Sequence, residues 1–287
     1  MAAELLIIDQ PAALAAWSDA QRIAGHRVAL VPTMGALHDG HLALITEARQ
    51  HADVVIVSIF VNPLQFNRLD DFDAYPRPLA DDVAICRRVG VDAVYAPSAS
   101  TMYPDGFQTH VEPGPLAGVL DGPSRPGHFR GVTTVVAKLF GAARPHVAAF
   151  GEKDFQQLAI IRRMVSDLNM GIEIVAVATV REPDGVALSS RNRRLSPVER
   201  AAAVCVPQAL AAMAAAARDG ERDCHQLQAI ARAVVATQPL ASAEQLEIVD
   251  RETLSPLSSI DDSRGGAIAV IAVWFGEVRL IDNRLLS

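Results

Sequence analysis

The chain has 287 residues, 50% of them hydrophobic, with 26 basic and 33 acidic side chains and a net charge of −7. That length exceeds what one hydrophobic core usually fills, so two domains are expected. The acidic balance supplies no basic field for a nucleic acid or an anionic membrane surface, which leaves small molecules as the expected partners.

At the N-terminus no charged region precedes an apolar stretch and cleavage site, and no apolar run reaches the roughly 18 residues of a membrane span. A cytoplasmic location is therefore expected. Continuous apolar runs at Val28–Val31, Val54–Phe60, Ala93–Tyr95, His146–Phe150 and Ile172–Val177 predict parallel strands buried on both faces. Between them, apolar positions three and four apart predict helices over His41–His51, Asp81–Val89, Gly131–Ala143 and Phe155–Leu168. The alternation predicts a doubly wound, Rossmann-like α/β domain over residues 1–180, with ligands at the carboxyl ends of its strands.

The turn-rich segment Arg181-Glu182-Pro183-Asp184-Gly185 then reads as a hinge into a smaller α+β domain, residues 181–287. Its Ala-rich stretch predicts one helix from Pro197 to about Arg218, followed by a second over Cys224–Ala236. Leu246–Ile248, Ala267–Trp274 and Val278–Ile281 predict a short antiparallel sheet, the last two strands joined at Gly276-Glu277. Cys86, Cys205 and Cys224 form no Cys-x-x-Cys pair and are expected to be packing residues.

Chemistry concentrates first in Pro32-Thr33-Met34-Gly35-Ala36-Leu37-His38-Asp39-Gly40-His41, between a strand and a helix. Glycines allow close backbone approach, the helix N-terminus offers N–H groups to an anion, and two imidazoles add donors for phosphate oxygens. This string resembles the His-x-Gly-His signature of the nucleotidyltransferase superfamily. Extended back to Val31, it is similar to one family within it, the pantothenate synthetases or pantoate–β-alanine ligases.

Further blocks carry the same resemblance. Val61-Asn62-Pro63-Leu64-Gln65-Phe66 follows a strand, and Asp73-Ala74-Tyr75-Pro76-Arg77 matches a family run except that Pro78 stands where threonine is usual. The segment Leu120 to Val132 borders the family's active site, with Asp121 in place of glutamate. Phe150-Gly151-Glu152-Lys153-Asp154-Phe155-Gln156-Gln157 sets a lysine between carboxylates at a strand end, where Lys153 can reach phosphate as a point charge. Leu188-Ser189-Ser190-Arg191-Asn192 resembles the family's phosphate loop, and Arg279-Leu280-Ile281-Asp282-Asn283 also matches.

The resemblance implies ATP binding by Met34, Gly35, Ala36, Leu37, His38, Asp39, Gly40, His41, Gly151, Glu152, Lys153 and Asp154. Val180, Leu188, Ser189, Ser190 and Arg191 are implied in the same role, with catalysis by His38, His41 and Lys153. Gln65 and Gln157 are implied to bind pantoate beside β-alanine. It further implies Mg2+ with ATP, metal ligands unspecified, and a homodimer. Two alternatives stand beside it: another nucleotidyltransferase, which shares the histidine block and transfers a nucleotidyl group to a phosphorylated alcohol, and a noncatalytic nucleotide sensor or dinucleotide-binding module. The chain contains neither Gly-x-Gly-x-x-Gly nor Gly-x-x-x-x-Gly-Lys-Ser/Thr.

Overall fold

The computed structural model describes residues 5–67, 69–261 and 266–286. They fall into two compact units. One comprises the described residues up to Glu152 with Gln156–Ala178, and the other Lys153–Phe155 with the described residues from Thr179 onward.

Up to Val177 the chain runs β1 (Leu6–Ile8), α1 (Pro11–Ile23), β2 (Val28–Thr33), α2 (Asp39–His51), β3 (Val54–Ile59), α3 (Leu69–Asp73) and α4 (Leu79–Arg88). It continues through β4 (Ala93–Tyr95), α5 (Ala99–Met102), α6 (His128–Ala143), β5 (Val147–Gly151), α7 (Phe155–Asp167) and β6 (Glu173–Val177). The strands form one parallel sheet ordered β1-β4-β3-β2-β5-β6. Alternation along β2 explains its burial on both faces. Val28 and Leu30 enter a core with Leu14, Leu139 and Ile161, whereas Ala29 and Val31 enter one with Ile45, Val83 and Cys86.

Strand β2 has β3 on one side and β5 on the other, so sheet building reverses there, the position at which open α/β sheets bind ligands. Strands β2 and β5 pair only at Ala29–Val147 and Leu30–Ala148, and beyond these pairs each runs on along its other neighbour, β2 to Thr33 and β5 to Gly151.

The second unit contains α8 (Pro197–Ala202), α9 (Cys205–Arg218), α10 (Cys224–Val235), β7 (Ala241–Asp250), β8 (Ala267–Phe275) and β9 (Val278–Leu286). The antiparallel sheet is ordered β7-β8-β9, with Gly276-Glu277 turning β8 into β9 as the sequence predicts. Leu210, Met213, Leu227, Leu246, Ile271 and Phe275 fill its core.

Several boundaries differ from the sequence reading. The helix predicted from Pro197 to Arg218 is two helices, because Pro207 has no N–H to give the carbonyl of Ala203 and is tolerated only in the first turn of a new helix. By length and a mean hydropathy of 1.4 that stretch could cross a membrane, but it is half buried within the protein and Ala209, Leu210, Met213 and Ala217 belong to the core. β1 and α1 carry no assignment in the sequence reading; β1 is a three-residue edge strand, too short for a periodic signal. α2 starts at Asp39 and α6 at His128, each ahead of its predicted start; for α2 the reason is a polar first turn, which apolar periodicity does not register.

The cysteines are packing residues. Burial, with the Asp82 charge adding to it, pushes the Cys86 thiol up to about 12. Burial also pushes Cys205 and Cys224 up to about 11.

Candidate active site

The turn after β2 is fixed before any imidazole is considered. Thr33 Oγ1 donates to the Ser58 carbonyl (2.7 Å) and accepts from the Gly35 N–H (3.1 Å). Asp82 of α4, 1% exposed, accepts from the Ala36 N–H through Oδ2 (2.9 Å) and the Leu37 N–H through Oδ1 (2.8 Å). Only glycine suits position 35, where φ is +81° and a Cβ would lie 2.9 Å from Asp82 Oδ2. Ala36 is also left-handed, with φ at 52°, a conformation the Asp82 carboxylate holds in place.

His38 caps α2. Its Nδ1 accepts from the Gly40 N–H (3.1 Å), and His41 Nδ1 accepts in return from the His38 N–H (3.2 Å). The ring centroids lie 4.1 Å apart. An Nδ1 that accepts carries no proton, so in this geometry both rings hold theirs on Nε2 and both Nε2–H groups are donors. Met34 and His38 are half-buried, and Asp39 is exposed.

Gln65 closes a 3-10 turn, Pro63–Gln65, after β3, and its Nε2 reaches Met34 Sδ at 3.1 Å. Residues implied for ATP and for pantoate thus meet in the first unit. The Leu120–Val132 segment packs here too: His128 Nδ1 lies 2.7 Å from the Gln65 carbonyl oxygen. A Cβ at Gly131 would stand 2.3 Å from the Leu64 carbonyl oxygen, so this helix approaches the Gln65 turn as only glycine allows.

Of the two glutamines opening α7, Gln156 is structural. Buried, it donates to the Leu116 (2.8 Å) and Val119 (2.7 Å) carbonyls and accepts from the Asp121 N–H (3.0 Å). Gln157 is half-buried, and among the described residues no group hydrogen-bonds its amide. Gly151 ends β5, and Glu152–Asp154 form a 3-10 turn in which both carboxylates are exposed.

In the second unit, Asn283 of β9 donates to the Lys153 carbonyl (3.0 Å). Lys153, Ser189, Arg191, Asn192 and Arg279 line one cleft. The segment read as a hinge is a closed hairpin: Arg181 bridges to Ala187, and the Leu188 N–H donates to Val180 (2.9 Å). Arg181 forks onto the buried carboxylate of Asp282 at 2.6 and 2.9 Å. Arg200 pairs with Glu182 (2.6 Å) and Asp184 (2.8 Å), and its hydrogen bonds hold both carboxyls below their ordinary values. Glu182 in turn accepts from Asn192 Nδ2 (2.7 Å), which also donates to the Ala187 carbonyl (3.1 Å). Ser189 caps the short 3-10 helix Ser190–Arg194 by accepting from the Arg191 N–H (3.2 Å).

Asp82, Asn62, Asp282 and Asn283 support these groups, yet the sequence reading assigns them no role. Asn62, Asp282 and Asn283 lie within blocks that carry the family resemblance, and the signal for Asp82 is an aspartate on the apolar stripe of α4, beside Val83 and Cys86.

The family profile described as pantoate-beta-alanine ligase matches residues 6–285. The chain belongs to that family. A pantothenate synthetase from Citrifermentans bemidjiense is 51% identical over 260 residues, covering 91% of this chain and 92% of that protein. Among solved structures, a pantothenate synthetase from Thermus thermophilus superposes with a TM-score of 0.91 at 44% identity, over 97% of this chain and 98% of that one. A pantoate-beta-alanine ligase from Francisella tularensis, complexed with beta-gamma ATP and beta-alanine, gives 0.81 at 34% identity, over 98% of each chain.

Proposed function

We propose that this enzyme condenses (R)-pantoate with β-alanine in an ATP-dependent reaction through an enzyme-bound pantoyl adenylate, releasing AMP and pyrophosphate. The observation that carries the reading is the pair of Nε2–H imidazoles on a locked turn at the carboxyl end of β2, the strand flanked by β3 and β5. ATP and β-alanine as substrates are supported by the Francisella tularensis relative, and pantoate by the family to which the chain belongs.

The pantoate carboxylate attacks the α-phosphorus of ATP; the α–β phosphoanhydride bond breaks and its electron pair leaves on pyrophosphate. The β-alanine amine then attacks the activated acyl carbon, forms the amide and loses a proton, and AMP departs with the acyl C–O electron pair. No side-chain nucleophile is required, so the residues act by position and charge. His38 and His41 donate to phosphate oxygens, His41 to the departing ones, while Lys153 and Arg191 neutralise charge moving onto the leaving group. Backbone and side chains of Met34–His41, Gly151–Asp154, Val180 and Leu188–Arg191 bind ATP, and the Gln65 and Gln157 amides bind pantoate.

Residues 1–180 form the nucleotide- and pantoate-binding domain and 181–287 a lid domain that keeps water from the adenylate. Magnesium bound with the triphosphate would lower the charge that repels the attacking carboxylate. The exposed carboxylates of Glu152 and Asp154 suit an ion that binds through few protein ligands and keeps its waters. A homodimer and a cytoplasmic location follow from the resemblance to the family.

Product analysis tests the reading. Incubation with ATP, pantoate and β-alanine should yield pantothenate, AMP and pyrophosphate. ADP with phosphate would indicate an acyl phosphate, and a nucleotidyl group retained in the product would indicate a different transferase.

A further inference from the structure

Gln65 can bind an oxygen of a hydroxy acid only if its amide faces the right way, and the structure contains a chain of contacts that decides this. Asn62, 1% exposed, is saturated. Its Oδ1 accepts from the Tyr103 hydroxyl (2.7 Å) and the Leu64 N–H (3.3 Å). Its Nδ2 donates to Gln65 Oε1 (3.0 Å) and to the Gly131 carbonyl (3.1 Å). A backbone N–H only donates and a carbonyl only accepts, so Asn62 has one satisfied orientation. Gln65 must then turn Oε1 toward Asn62 and its NH2 group the other way, where Nε2 lies by Met34.

The Tyr103 hydroxyl forms the shortest of the four Asn62 hydrogen bonds, and its ring has little freedom. It meets Phe107 edge-on at 5.0 Å and Phe60 at 6.1 Å, with the Lys138 ammonium 5.8 Å from its centroid. Burial raises the phenol well above its ordinary value, so the hydroxyl stays protonated.

We propose that Tyr103 is a positioning residue for the hydroxy-acid substrate: by holding Asn62 it fixes the Gln65 amide with its NH2 group presented to a pantoate oxygen. The proposal rests on the assignment of Gln65 to pantoate. Tyr103 itself touches no substrate and acts on ground-state binding of one substrate only.

The test is Tyr103→Phe in the full chain, with Tyr103→Leu as the packing control. The Phe variant keeps the ring and should melt as the parent does, whereas Leu should melt lower. Loss of one hydrogen bond that orients a binding amide should raise the pantoate KM about fivefold. The ATP KM and kcat should remain near parental values. In a Gln65→Ala background, Tyr103→Phe should add nothing. Equal movement of both KM values, or an undiminished effect in the Gln65→Ala background, would overturn the proposal while leaving Gln65 at pantoate. An unchanged pantoate KM in Gln65→Ala itself would remove Gln65 from pantoate and this proposal with it.

Discussion

The imidazole turn after β2 and the Ser189–Arg194 segment of the second unit both present donors suited to phosphate, and they are held by opposite means. The first is set by short-range contacts from buried groups: a carboxylate under two backbone N–H groups, a reciprocal cap, a residue at positive φ. In the second, Arg200 holds two partly exposed carboxylates, with side chains at Arg200 and Glu182 24% and 26% exposed. Buried, saturated contacts give one geometry and fail abruptly when a member is removed. Solvated ion pairs contribute less each and yield gradually to acid and salt.

The largest effect should come from separating the cap of α2 from its chemistry. His38→Asn keeps a good helix cap but removes the Nε2–H donor. Adenylate formation should fall by at least about a hundredfold, as is typical when one donor to developing charge is lost, with the melting temperature unchanged. His41→Ala should lose as much activity. Near-normal turnover in either folded variant would reduce the turn to a structural feature.

Asp82→Ala should come next and act on the scaffold. It strips the acceptor from two buried N–H groups and should lower the stability of the first unit by about 3 kcal/mol in denaturant unfolding. ATP affinity should fall with it, because Ala36 loses what holds its left-handed backbone. Unchanged stability would mean that the turn holds itself.

Arg200→Ala should have the smallest effect, about threefold on adenylate formation, since partly exposed pairs are individually weak. Arg200 depresses the Glu182 and Asp184 carboxyls, so its contribution is complete above the ordinary carboxylate range and disappears as pH falls through the depressed values. Raised salt should mimic the variant in the second unit and leave the imidazole turn untouched. A hundredfold loss on Arg200→Ala would erase the contrast between the two regions.

Sequence made the sheet readable because β2 and β3 are apolar on both faces, and the imidazole turn readable because it sits in one contiguous string. What supports that turn was not readable. Asp82 lies 45 and 46 residues from the N–H groups it accepts, and Tyr103 lies 41 from Asn62. Such pairs arise from the register of parallel strands and the crossover helices between them, which local periodicity does not encode. Gln156 and Gln157 are adjacent and chemically identical, and only the fold decides that, among the described residues, the first is bonded to carbonyls while the second is not. The break before Pro207 was legible in principle, since proline in a helix interior costs a hydrogen bond, but alanine content dominated the propensity.

The central claim is that an adenylate forms before the amine is engaged, and isotope exchange tests it most directly. With pantoate and magnesium present and β-alanine absent, the enzyme should exchange labelled pyrophosphate into ATP, because the first step reverses while the intermediate stays bound. β-Alanine alone should support none. An enzyme that makes pantothenate at its normal rate yet shows no pantoate-dependent exchange would contradict a reversibly formed, bound acyl adenylate, and with it the roles given to His38, His41 and Lys153.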